Sequence, residues 1–146
     1  MLAESGITFS GVKGMRLISA FPLLVFVLAA FNMVFWSDGL ALDNQVFSTV
    51  MTSGALLVLT VADSLILLAL FVLFIEILKS TGASGTTILD HILSTGVFIL
   101  ALVEFLLVPE AGNSTFLMLV IMCLMDVVAG YSVTIRTARR DVSVGH

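Results

Sequence analysis

Charge is what this sequence has least of. Only 11% of its 146 residues are Asp, Glu, Lys or Arg, against about 25% in an ordinary soluble domain. With 60% hydrophobic residues and a mean hydropathy of +1.21, the chain lacks the polar side chains to cover a water-facing surface, and its class is an integral membrane protein. Histidine is nearly missing too. A haem held between helices by two imidazoles needs two at membrane depth, and the chain has only His91 and the terminal His146, so that cofactor is excluded. Cys123 is alone, which excludes an intramolecular disulfide and a cysteine metal cluster; a lone Cys in an apolar run reads as a small hydrophobe. No cofactor or metal is expected. The phosphate loop Gly-x4-Gly-Lys-Ser/Thr, the metalloprotease His-Glu-x-x-His and the Gly-x-Ser-x-Gly elbow are all absent. The short loops leave no room for a catalytic site, so the chain reads as non-enzymatic. Its net charge of −4 gives no reason for a nucleic-acid partner.

What is present is long apolar runs. A hydrocarbon core about 30 Å thick needs roughly 20 apolar residues per helix, and four segments qualify, at about 17–36, 46–78, 88–108 and 116–135. The expectation is all-α: one domain over 1–146, a four-transmembrane-helix bundle. The first run is too long for the core of a signal peptide and reads as a retained span. The loops SDGLALDNQ, KSTGASGTT and PEAGNS carry helix punctuation. Thr87 and Asp90 make a T-x-x-D capping box for the third helix, Pro109 stops it, and Asn113 or Ser114 caps the fourth. Asn113-Ser114-Thr115 also matches a glycosylation sequon, but so short a loop favours the cap. The second segment, at 33 residues, spans near 50 Å if wholly helical and must tilt or project from the bilayer.

Orientation follows from the basic residues. Lys13, Arg16, Lys79, Arg136, Arg139 and Arg140 all fall in the N-terminal tail, the middle loop or the C-terminal tail. The positive-inside rule then puts both termini and the middle loop on the cytoplasmic side of an inner membrane. Trp36, at the outer end of the first helix, fits an aromatic anchor.

Carboxylates inside the spans are the candidate functional groups. At about 1.5 Å per residue, Asp63 and Asp126 fall near the midplane of the second and fourth helices. Glu104 falls in the outer half of the third, and Asn32 in the outer half of the first. Glu76 and Asp90 fall at the cytoplasmic ends, where water or Lys79 serves them. An ionised carboxylate at mid-membrane costs roughly 2.5 to 3.5 kcal/mol. Asp63 and Asp126 therefore need relief by a shared proton, a bound cation or a protein partner. Asp126, Gly130 and Thr134 recur every four residues as a small, polar stripe; Thr60, Asp63 and Ser64 form a patch on the second helix; Asp90, Ser94, Val97, Ala101 and Glu104 line one face of the third. Such faces are expected to meet inside a bundle, where the plainest role is helix-to-helix hydrogen bonding at about 0.6 kcal/mol each.

Met118, Met122 and Met125 read as packing, and Phe21, Phe26, Phe31 and Phe35 as lipid contacts. Setting Asp63 over Asp126 also pairs Leu56 with Leu119 and Val58 with Ile121, the trace a duplicated hairpin would leave. Functionally the chain reads as a small accessory or assembly subunit. It would oligomerise with its own copies or dock on a larger membrane complex through polar helix faces, with the lipid bilayer as its constant partner. The alternative is a proton or small-cation channel or carrier element using Asp63, Asp126 and Glu104.

Overall fold

The computed structural model describes residues 21–37, 41–81 and 87–143. Among these the elements run α1 (Leu24–Phe35), β1 (Gln45–Val50), β2 (Leu56–Thr60), α2 (Val61–Thr81), α3 (Thr87–Leu107), a 3-10 turn (Pro109–Ala111) and α4 (Ser114–Ser143). Three helical stretches, Val61–Thr81, Leu89–Leu107 and Ser114–Val133, are long and apolar enough to cross a membrane. The 12 residues of α1 cover only about 18 Å, and most of the proposed extension toward residue 17 lies outside the described residues.

The all-α expectation is corrected at the second apolar segment. Nearly its first half is an antiparallel hairpin, with Val50 opposite Leu56, Thr49 opposite Leu57, Ser48 opposite Val58 and Phe47 opposite Leu59. The reason is local. Val46, Phe47, Thr49 and Val50 are β-branched or aromatic, and the following Thr52-Ser53-Gly54 is a turn. Gly54 adopts φ +83° and donates its N–H to Met51 O at 2.9 Å, while Met51 N–H closes the loop on Ala55 O at 2.8 Å. Three-residue hairpin loops place a left-handed residue at this position, and Gly adopts that conformation without steric cost. Between Gln45 and Phe47 the register shifts, leaving Val46 as the extra residue of a bulge. What remains for α2 is 21 residues, about 31 Å, so the excess length of a 33-residue helix disappears. The duplication reading falls with it, because Leu56 and Val58 are strand residues while Leu119 and Ile121 are helical.

The first turn of α2 shows how its free amides are satisfied. Val61 and Ala62 donate to the carbonyls of Asn44 and Leu42, each at 2.9 Å, so the chain entering β1 runs beside the start of the helix. Asp63 Oδ2 accepts from the Thr60 N–H at 2.9 Å and the Thr60 hydroxyl at 2.8 Å, and Asp63 N–H reaches Thr60 Oγ1 at 3.2 Å. That is a reciprocal capping box. At the other connection α3 ends before Pro109, as expected. Asn113 Oδ1 accepts the Phe116 N–H at 2.9 Å, so Asn113 caps α4. The Thr87 side chain of the other expected capping box lies outside the described residues.

Helix α4 packs against both α3 and α2, and α1 against α2. The buried stripes are Leu65, Ala69, Leu73 and Glu76 on α2, and Ser94, Val97 and Ala101 on α3. On α4 they are Phe116, Leu119, Cys123, Asp126 and Gly130. The reading of the α1 phenylalanines as lipid contacts is corrected in part. Phe21 and Phe26 are exposed, but Phe31 is fully buried and meets the Phe116 ring edge-on at 5.7 Å, with Phe35 5.7 Å from the same ring. The Met row divides as well: Met122 is buried, whereas Met118 and Met125 are exposed.

Candidate functional site

Helical register decides which polar groups meet. On α2 the inward stripe passes through Glu76 and leaves Asp63 exposed at the helix start. Asp63 is therefore neither at mid-helix nor beside Asp126; its carboxylate is occupied by Thr60. Ser64 bonds back to Thr60 O at 2.9 Å, so this patch is a helix-start motif. It is not a face awaiting another helix.

Asp126 does lie inside, 8% exposed, but at the end of the bundle that carries Lys79. Its hydrogen-bond neighbour is Ser94 and its charged neighbours are Glu76, Lys79 and Asp90. Glu76 is 3% exposed and pairs through Oε2 with Lys79 Nζ at 2.8 Å. Its other oxygen accepts the Leu23 N–H. Lys79 also donates to Phe21 O at 3.1 Å and sits 3.6 Å from Asp90 Oδ1. That last separation is an ion pair, too long for a hydrogen bond, and Asp90 Oδ1 is buried with no hydrogen-bond partner among the described residues. Two carboxylates, Glu76 and Asp90, thus flank one ammonium, with Asp126 further along the same end of the bundle. Glu76 and Lys79 also tie the residues entering α1 to the end of α2.

His91 extends this cluster on α3. Its ring stacks on Tyr131 of α4 at 5.0 Å and 29° and lies over Gly130, where an added Cβ would come within 2.7 Å of Cε1 and Nδ1. The small residue on the Asp126–Gly130 stripe therefore makes room for an imidazole. Thr134 continues α4, with its side chain outside the described residues. At the hairpin end, Glu104 is half-buried with Asn32 as its side-chain hydrogen-bond neighbour, and its Oε1 has no hydrogen-bond partner among the described residues. Asn32 Nδ2 also donates to Leu28 O at 3.1 Å.

On α4 Asp126 is buried, whereas Asp90 and Glu104 of α3 are half-buried at the two ends of the buried Ser94, Val97 and Ala101 stripe. On α2 the inward carboxylate is Glu76, and one basic side chain, Lys79, reaches it. His91 and Tyr131 were not singled out from the sequence. The signal for them was spacing: Asp90-His91 precedes Ser94 by one turn, and Tyr131 follows Gly130 directly. No group of three or more His, Cys, Asp or Glu among the described residues is arranged to hold a metal ion.

Together these features define a mostly helical chain with three membrane-length apolar helices, a polar cluster at one end and a strand pair at the other. No protein-family model, curated protein or solved structure matches it.

Proposed function

We propose that the chain is a small, non-enzymatic membrane subunit with four spans and both termini cytoplasmic, which oligomerises or docks on a larger complex of an inner membrane. The observation that carries this reading is the hairpin. From Asn44 to Ala62 the chain has no charged residue, and Val46, Phe47, Val50, Met51, Leu56 and Val58 are all exposed. A two-stranded sheet is marginal alone, and its edges here lack the Lys, Pro or inward charge that blocks edge pairing. The polar helix faces support a different role from the docking first expected of them, because Asp126, Ser94 and Glu76 face one another within a single chain. The orientation is supported by the absence of Lys and Arg from residues 17–78. Cross-linking of membranes containing the wild-type chain should give a higher-mass species that Leu57→Lys, on the β2 edge, removes without unfolding the bundle. Detection of the monomer alone in the wild type would sink the reading.

A second reading, movement of protons or small cations, draws on the excess of carboxylates around Lys79. In that form Asp126, Glu76 and Asp90 are the binding groups, Glu104 marks the opposite access, and Asp63 plays no part. Asp126→Asn in reconstituted vesicles should then abolish flux while the bundle stays folded; unchanged flux would remove this reading.

A further inference from the structure

The two edges of the hairpin are unlike. Met51 N–H donates to Ala55 O at 2.8 Å, so that rung is a hydrogen-bonded one. Bonded and open rungs alternate in an antiparallel pair. Thr49 with Leu57 and Phe47 with Leu59 are then bonded, and Val50 with Leu56 and Ser48 with Val58 are open. At an open rung the backbone N–H and C=O turn outward, away from the facing strand. On β1 the outward positions are Ser48 and Val50, and the bulge at Val46 ends the regular ladder beside them, one of the devices that keep an edge from pairing further. The β2 edge has no such interruption. Leu56 and Val58 present their N–H and C=O groups in line, on a strand that reads Leu56, Leu57, Val58 and Leu59, the first three of them exposed. Beyond them Thr60 N–H is taken by Asp63 Oδ2 at 2.9 Å, and among the described residues no strand but β1 lies beside β2. An uncharged apolar strand with a row of unpaired backbone groups is a template for another strand, and only an extended backbone supplies donors and acceptors at this alternation.

We propose that β2 pairs antiparallel with β2 of a second copy, in a ladder centred on Leu57 that joins two hairpins into one four-stranded sheet. The edge is self-complementary about that residue. Leu56 of one copy exchanges backbone hydrogen bonds with Val58 of the other, Val58 does the same with Leu56, and the two Leu57 residues form the open rung on the two-fold axis. The side chains that meet across it are Leu and Val. Asp63 follows Val58 by five residues in each chain, so the two carboxylates lie on opposite sides of the axis and do not meet. A strand of another protein would need the same short, uncharged run at the same height, which a second copy carries by identity. Copies inserted the same way are related by an axis along the membrane normal, so the paired strands run along the bilayer surface. A four-stranded sheet also replaces a two-stranded one that is marginal alone.

The inference rests on the reading that the chain docks through its hairpin, and it fixes both the partner and the edge. Two proline and two cysteine variants of the full chain test it in membranes. Val58→Pro removes an outward N–H and leaves the bonded rungs of the hairpin intact, because proline is tolerated where the N–H faces away from the ladder. It should abolish the dimer that native mass spectrometry detects in the wild type, whereas Ser48→Pro, the same change on the β1 edge, should leave it. In a Cys123→Ser background, Leu57→Cys should join on oxidation into a species of twice the chain mass, since an open rung holds its Cα atoms about 4.5 Å apart, within disulfide reach. Thr49→Cys, which lies on the axis of the rival β1 pairing, should stay at the mass of one chain. The cysteine variants give the answer by themselves should Val58→Pro fail to fold. A complex that survives Val58→Pro or is lost with Ser48→Pro, or Thr49→Cys joining in place of Leu57→Cys, would overturn the edge and leave docking through the hairpin standing. A complex whose mass includes no second copy would overturn the partner. A monomeric wild type would overturn docking as well.

Discussion

Gly130→Ala tests the packing of α3 against α4 directly. The new methyl would lie 2.7 Å from His91 Cε1 and Nδ1, whereas nonbonded carbons rest at about 3.5 to 4.0 Å. The overlap is therefore about 0.8 to 1.3 Å. His91 is 8% exposed and stacked on Tyr131, so its ring has little space to withdraw. Overpacking of this kind costs about 1 to 3 kcal/mol, while replacing Gly by Ala within a helix returns about 1 kcal/mol. The single variant should then be less stable by about 0 to 2 kcal/mol. The sharper measurement is a double-mutant cycle with His91→Ala, followed by circular dichroism during unfolding of the detergent-solubilised protein. With the imidazole gone, Gly130→Ala should stabilise, and the coupling between the two sites should be about 1 to 3 kcal/mol. Effects that add within about 0.5 kcal/mol would refute the contact.

Three further outcomes are expected. Asp63→Ala should destabilise by about 1 kcal/mol through loss of the cap, and Asp63→Asn by a few tenths; equal losses, measured by amide exchange in the first turn of α2, would restore a charge-specific role to Asp63. Phe116→Ala should cost about 3 kcal/mol because it opens a cavity under Phe31 and Phe35, read as a fall in the unfolding midpoint, and a shift under a tenth of that would contradict the aromatic cluster. Gly54→Ala places a Cβ on a left-handed residue at about 1 to 2 kcal/mol and should raise exchange in β1 and β2 while leaving α3 and α4 unchanged; uniform loss of protection would mean that the hairpin and the bundle unfold as one.

Much of the bundle was legible in the sequence because each signal was local. Pro109 and Asn113 mark the end of one helix and the cap of the next through their own backbone chemistry. The stripe from Asp90 to Glu104 marks the inward face of α3 because helical periodicity projects distant positions onto one side. The hairpin was misread for a reason that is also physical. An exposed, uncharged strand pair carries the same apolar composition as a membrane helix, and hydropathy does not distinguish them. The distinguishing marks were Thr52-Ser53-Gly54, the β-branched run before it and Thr60-x-x-Asp63, the same T-x-x-D spacing as Thr87 and Asp90.

The site divides along the same line. Depth counted from apolar runs depends on where each helix begins, and moving the start of α2 to Val61 put Asp63 in the first turn and Glu76 on the inward stripe. The sequence alone determined that the chain is apolar enough for a membrane, that its basic residues avoid the long runs and that α3 and α4 carry carboxylates on their small, polar faces. Those properties depend on composition and period. Only the tertiary structure decided that Asp126 meets Ser94, Glu76 and Lys79 instead of Asp63, and that Gly130 makes room for His91. Such pairings depend on the rotation and offset of one helix against another, which no single helix encodes.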